Sequence, residues 1–428
     1  MRRKIQCCLT FAFLLMVALA DHQESHDDGK RSPDLHHHLH HGKNEPHPSH
    51  DGKHDSFHKI SSHNADFAFT LYNKLSSHTD AKGKNLIFSP LSISIALSML
   101  ALGAKGETHS QIFSTLGYSS FTEDQVNEAY EHLLNTLDHN QESALLEIGG
   151  GLAVQEDFKP INQFLKDLQH FYNGEAFSVD FSKPEVAVQE VNKFIAKKTN
   201  DTITDILKSL DQDTILVLIN YIYFRDKWEK PFNVEHTRKA DFHVDENTKV
   251  TVDMMQRTGY YDFYHDWANF TSVIKLPYKG NTSILIVLPD ERKLEEVEKH
   301  LSKESLKYWQ DKLFRRRIGF SLPKFSISAS FSLGNTLKEL GITDAFSNNA
   351  DFSGMSEKTK LKASKVLHQG VLKVDEKGMD TAAVTTIEVF PSSQPYTLNI
   401  NRSFLVFFVE HHTKSIFFMG KITNPTEQ

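Results

Sequence analysis

The chain has 428 residues, 39% of them hydrophobic and 24% charged, with a formal net charge of −7. This is the composition of a globular protein, and an acidic balance argues against wholesale nucleic-acid binding. Both cysteines, Cys7 and Cys8, lie within residues 1–20, so a chain trimmed there must fold without disulfides.

Arg2, Arg3 and Lys4 precede an apolar run from Ile5 to Leu19, and Ala18 and Ala20 supply the small residues a signal peptidase needs. Residues 1–20 are therefore read as a cleaved signal peptide, which places the mature protein outside the cell and takes its net charge to −10. The run is shorter than the roughly 20 apolar residues that cross a bilayer. No later segment is long enough either, so no membrane association is expected.

From Asp21 to Phe57 the sequence turns to His, Asp, Lys, Pro, Ser and Gly, with too few large apolar residues to offset the entropy of ordering a backbone. Residues 21–57 read as a disordered tail. Twelve of the 24 histidines fall between His22 and His63, densest at His36, His37, His38, His40 and His41. Neutral imidazoles on a flexible tail suit weak, polydentate binding of Zn, Cu or Ni. Protonated near pH 6, the same residues suit an acidic polysaccharide or membrane surface. A solvated spacer accounts for them with no ligand, and no spacing here matches a structural zinc site. No cofactor is required.

The globular pattern begins near Ile60. Phe67, Phe69, Leu71 and Leu75 suit an amphipathic helix over Asn64–Leu75, and Ser92–Leu102 is apolar on nearly every face, which predicts a buried helix. Further helices are expected over Glu123–Leu137, Ile161–Phe171 and Val186–Ala196. Strands are expected over Thr214–Phe224, Ser283–Leu288 and Ile318–Leu322, with Phe404–Val409 and Ser415–Met419 as a closing pair. Helices early and strands late point to an α+β fold with large sheets. No repeat or Pro/Gly punctuation isolates a second domain, so residues 58–428 form one.

Common catalytic fingerprints are absent: no Gly-x-Ser-x-Gly, no His-Glu-x-x-His, no phosphate-cradling Gly-x-x-x-x-Gly-Lys. The run Gly149, Gly150, Gly151 reads as a turn. Arg315, Arg316 and Arg317 read as a solvated strand entry rather than a polyanion site. The chain is not expected to be an enzyme.

Four segments are more specific. NLIFSPLSISIALSMLALGAKGETHSQI (Asn85–Ile112), INYIYFRDKWEKPF (Ile219–Phe232), LPKFSISASFSLGNTLKELGITDAF (Leu322–Phe346) and FFMGKITNP (Phe417–Pro425) occur in the order found in serpins. From about His58 to Gln428 the chain resembles the alpha-1-antitrypsin branch of that family. The resemblance implies three β-sheets, about eight or nine helices and an exposed reactive loop. It implies that Ser89, Ser92, Asn220 and His368 form a polar cluster where the central sheet parts, and that Trp228, Lys324 and Glu376 meet at the top of that sheet.

By the same resemblance the reactive loop spans about 376–395, with a hinge of Glu376, Gly378, Met379, Thr381, Ala382 and Ala383. Counting sixteen residues from Glu376 places the scissile bond between Ser392 and Ser393. A target serine protease would form a covalent acyl-enzyme at Ser392, and the cut loop would enter the central sheet as a strand before hydrolysis. Alternation puts Met379, Thr381, Ala383, Thr385, Ile387 and Val389 on the face to be buried, and the charges Asp380 and Glu388 on the other. The protein would work as a monomer.

Two residues depart from the inhibitory pattern. Met379 is bulky where inhibitors carry a small or hydroxylated residue, and Ser392 does not name a target. A non-inhibitory carrier of a small hydrophobic ligand or hormone, and a metal-binding protein acting through the histidine tail, are the alternatives. Asn200, Asn269 and Asn281 are acceptor sites for N-glycosylation. Asn401 is set aside as shielded.

Overall fold

The computed structural model describes residues 9–20, 51–78, 83–139, 145–211, 213–376 and 394–427. Nine α-helices lie among the described residues: α1 (Asp51–Ser77), α2 (Pro90–Leu102), α3 (Gly106–Leu116), α4 (Glu123–His139), α5 (Asn162–Tyr172), α6 (Pro184–Lys198), α7 (Leu294–Lys299), α8 (Lys303–Lys312) and α9 (Gly334–Glu339). Every residue of α2 from Pro90 to Ala101 is buried, as an all-round apolar helix must be. Ser89 caps it by accepting the Ser92 N–H at 3.2 Å.

Helix α1 begins at Asp51, inside the segment expected to be tail. Among its described side chains the buried ones begin at Ile60 and include Phe67, Ala68, Leu71 and Tyr72. Once that packed stretch has nucleated the helix, each further turn toward the N-terminus adds a hydrogen bond per residue fixed.

The central sheet has six strands in the order β11 (Phe325–Ser332), β12 (Ala363–Val374), β1 (Leu9–Ala20), β5 (Thr214–Asp226), β3 (Leu145–Gln155) and β4 (Gly174–Val179). Two further sheets are continuous through the long strand β7 (Lys249–Asp266). One places β6 (Arg238–His243) and β10 (Phe314–Pro323) against β7, with β13 (Tyr396–Asn399) on the far side of β10. The other continues from the end of β7 through β8 (Thr271–Pro277), β9 (Thr282–Pro289), β14 (Phe404–Glu410), β15 (Ile416–Ile422) and β2 (Leu86–Phe88). Strands β9, β14 and β15 are buried at every position, which explains the apolar runs Ile284–Leu288, Phe404–Val409 and Ile416–Met419 within them.

The apolar run read as a leader is β1. It lies between β5 and β12 and pairs antiparallel with both. Leu15 stands opposite Asn220 on one side and His368 on the other. Those two residues therefore flank the slot at one level.

Gly149, Gly150 and Gly151 do not form a turn; they lie inside β3. Added Cβ atoms there would stand 2.5 Å from the Tyr221 hydroxyl, 2.4 Å from the Met99 methyl and 2.6 Å from the Phe194 ring. Large side chains from both faces of the sheet close over the missing ones, a reason invisible in local sequence.

Candidate functional site

Two constellations flank the slot. Beneath its middle, α2 presents Ser89 and Ser92 to β5 and β12. The Ser89 N–H donates to His368 Nε2 at 3.0 Å, and the Ser92 hydroxyl donates to Asn220 Oδ1 at 2.7 Å. Asn220 Nδ2 in turn donates to the Gly149 carbonyl at 3.0 Å, on the neighbouring strand. Ser89, Ser92, Asn220 and His368 are all at 0% exposure, so each lost bond would leave a polar atom without water. Because His368 Nε2 accepts, its imidazole is neutral here with the ring proton on Nδ1. The cluster ties one helix to both walls of the slot. Parting or re-pairing those walls must rearrange it.

At the end of β12 the chain turns out of the sheet through Asp375 and Glu376. Trp228, stacked on Tyr278 with ring centroids 4.5 Å apart and planes 9° off parallel, donates its indole N–H to the Asp375 carbonyl at 3.0 Å. Glu376 is buried and accepts from the Thr237 hydroxyl at 2.8 Å. Its other carboxylate oxygen lies 2.9 Å from Lys324 Nζ, and its carbonyl accepts the Phe232 N–H at 3.1 Å. Burial raises the Glu376 pKa, but the bonds from Lys324 and Thr237 outweigh it, so the carboxyl sits below its ordinary value. The base of the departing segment is thus clamped by two backbone and two side-chain contacts.

Sequence reasoning brought Trp228, Lys324 and Glu376 together but missed Thr237, Phe232, Tyr278 and Asp375. Thr237 precedes β6 in an ordinary polar stretch and carries no motif. Tyr278 was findable only as an aromatic following a strand.

Gly378, Met379, Thr381, Ala382, Ala383, Ser392 and Ser393 lie outside the described residues, as do His36, His37, His38, His40 and His41. Among the described residues no group of three or more His, Cys, Asp or Glu side chains is placed to hold a metal ion. No helix among them is long and apolar enough to cross a membrane. Asn200, Asn269 and Asn281 are exposed, whereas Asn401 is half-buried and its carbonyl accepts the His243 N–H at 2.8 Å. In the basic run, Arg315 reaches Asp262 at 4.0 Å and Arg316 lies 4.5 Å from the centre of the Tyr396 ring.

A family profile described as Serpin (serine protease inhibitor) matches residues 62–425. An alpha-1-antitrypsin homolog of Cyprinus carpio is 58% identical over 323 residues, covering 76% of this chain and 87% of that one. The alpha-1-antiproteinase of Callosciurus caniceps is 40% identical over 379 residues, covering 88% and 92%. Among solved structures, human thyroxine-binding globulin complexed with thyroxine superposes with a TM-score of 0.81 at 38% identity, covering 87% of this chain and 100% of that one. Human glycosylated kallistatin matches with a TM-score of 0.81 at 37% identity, covering 87% and 99%.

Proposed function

The chain belongs to the serpin family, the serine protease inhibitors, and from that premise we propose that it is a secreted inhibitor acting as a suicide substrate. A target protease attacks the carbonyl of Ser392 and releases Ser393 as the new N-terminus of the downstream segment. The acyl-linked upstream segment then enters the slot between β12 and β5. Insertion deforms the bound protease before water reaches the ester, so inhibition is a race between insertion and hydrolysis.

One observation carries this reading. The central sheet takes a strand between β5 and β12, antiparallel to both, above the cluster of Ser92, Asn220 and His368. A segment leaving β12 at Asp375 and turning back on itself has that antiparallel direction. Removal of residues 1–20 would leave this position to the loop.

The test mixes the secreted protein with elastase, chymotrypsin, trypsin and a subtilisin-like protease. A complex that survives denaturing electrophoresis, with the downstream peptide beginning at Ser393, is the expected outcome. Clean cleavage between Phe390 and Ser393 by every enzyme, with no adduct, would reject inhibition. Replacing Met379 by threonine should then be tried. If insertion is the slow step, this smaller residue raises the fraction of encounters ending in adduct.

A further inference from the structure

Trp267, Phe270 and Tyr308 are 81%, 37% and 43% exposed and account for three of the seven exposed large hydrophobic side chains among the described residues. Trp267 and Phe270 lie in the turn that joins β7 to β8, and Tyr308 in α8. Between that turn and α8 lies an open cleft of about 420 Å³, lined by Asn269, Phe270, His300, Glu304, Tyr308 and Trp309 among others. Apolar ring faces beside carboxylates and an imidazole suit a sugar: the C–H face of a pyranose packs on an aromatic ring while its hydroxyls reach the polar groups.

The rim of this cleft carries its own tether. Asn269-Phe270-Thr271 is an N-glycosylation acceptor sequence. The buried Asp266 carboxylate accepts the Asn269 backbone N–H at 3.2 Å and Asn269 Nδ2 at 2.7 Å, and it also accepts the Trp309 indole N–H at 3.1 Å. Nδ2 has two hydrogens, so one can hold Asp266 while the other is replaced by carbon. Phe270 has φ +52°, in the left-handed region, a conformation costing about 1–2 kcal/mol for a residue with a side chain. The surrounding turn holds it there, with the ring against Lys293 at 4.4 Å and on the wall of the cleft.

We propose that this cleft seats the first sugars of an N-linked glycan carried by Asn269, with the pyranose faces on Phe270 and Tyr308. A lipid-linked oligosaccharide pyrophosphate supplies the sugar. Its C1–O bond to phosphate breaks, C1 bonds to Nδ2, and the displaced amide proton leaves with the phosphate. Thr271 is at 0% exposure in the folded chain, so the transfer precedes folding. Tethering then holds the sugar at the cleft at a high effective concentration.

The chain's three tryptophans give a reporter, because Trp228 and Trp309 are each 2% exposed and only Trp267 meets solvent. The full chain is secreted from a eukaryotic host, its occupancy at Asn269 is read by peptide mass spectrometry, and acrylamide quenching is measured. Thr271→Val removes the acceptor and breaks no hydrogen bond, since the Thr271 hydroxyl is buried with no partner. Asn269→Gln is the second route if that variant fails to fold. Both should raise the Trp267 quenching constant at least twofold. Tyr308→Ala, which keeps the acceptor, should let peptide N-glycosidase release the Asn269 glycan from the native protein at least tenfold faster. An unmodified Asn269 in the secreted protein, equal quenching with and without the acceptor, or equal release rates would overturn the proposal. So would a non-covalent small molecule retained in the cleft by native mass spectrometry.

Discussion

The clamp at the base of the departing loop predicts an asymmetry between its two charged members. Lys324 and Glu376 form one ion pair at 2.9 Å, but their side chains are 43% and 5% exposed. In Glu376→Ala the lysine turns to water, which costs about 1 kcal/mol or less, as for a surface pair. The Thr237 hydroxyl loses its acceptor for about another 1 kcal/mol. In Lys324→Met the carboxylate stays behind with only the Thr237 hydroxyl and backbone contacts. Stranding one member of a buried pair costs about 3–5 kcal/mol. The lysine, though the more exposed partner, is therefore the more damaging one to remove. The double variant should return to the cost of Glu376→Ala.

Protonation separates this account from a packing effect. In the parent chain the folded pKa of Glu376 is depressed, so the group contributes stability above its unfolded value near 4.3. That contribution is lost as pH falls through the lower folded value. Without Lys324, burial dominates and the folded pKa rises above the unfolded one. The sign of the slope then reverses, and Lys324→Met recovers stability relative to the parent as pH falls from about 7 to 4. Urea unfolding of the parent and the three variants at pH 7 and pH 4.5 measures both effects. Glu376→Ala costing more than Lys324→Met, or a gap between parent and Lys324→Met that does not narrow in acid, would refute the reasoning.

Asn220→Ala leaves the Ser92 hydroxyl and the Gly149 carbonyl without their partner and should cost about 2–4 kcal/mol in urea unfolding, well above the cost of about 1 kcal/mol for an ordinary helix-cap loss. Gly151→Ala drives a methyl to within 2.6 Å of the Phe194 ring, itself stacked on Phe177 at 4.7 Å, and should cost about 1–3 kcal/mol by thermal melting. His411 is an exposed residue whose ring Nε2 nonetheless lies 2.7 Å from the buried Ser283 hydroxyl, and desolvation of the ring first, then Lys275, lowers its pKa to about 4. The unfolded imidazole binds a proton the folded one refuses, so stability should fall between pH 6.5 and 4, by about 1 kcal/mol once solvent screening of an exposed residue is allowed for, and His411→Gln should flatten that slope in unfolding titrations.

Elements were legible where burial was uniform. Helix α2 and strands β9, β14 and β15 are covered on all sides, so composition alone betrays them. Strand β7 was not legible: from Lys249 to Asp266 buried, half-buried and exposed residues follow one another irregularly because different stretches pair with different neighbours. Short helices such as α7 and α9 bury only one or two side chains each, too few to set a period. The candidate site posed a different difficulty. Ser89 and His368 meet across 279 positions, and no local rule joins a serine before a proline to a distant histidine. Only the family resemblance brought them together, and it could not supply Thr237, whose part in the clamp depends on where β6 happens to begin.

The slot also shows where the driving force for the proposed insertion must reside. Strands β5 and β12 each run antiparallel to β1 and hence parallel to one another. Closed directly, they would share one parallel ladder, slightly weaker per residue than antiparallel pairing. A strand between them exchanges that single ladder for two antiparallel ones. Each added hydrogen bond is worth about 1 kcal/mol net, while ordering each inserted residue costs about 1–2 kcal/mol. Backbone pairing alone therefore comes out near balance. In the proposed insertion, burial of the inward face would decide the sign, and Thr381, Ala383, Thr385, Ile387 and Val389 would supply it, at about 25 cal/mol per Å² of apolar surface removed from water. Asp380 and Glu388, which strand alternation would place on the opposite face, would stay out of that core. On the proposed register Met379 would be the first side chain to arrive and, with Ile387, one of the two largest on the inward side. In the proposed mechanism it would add to the final burial but hinder the first step, so its replacement should speed entry more than it weakens the inserted state.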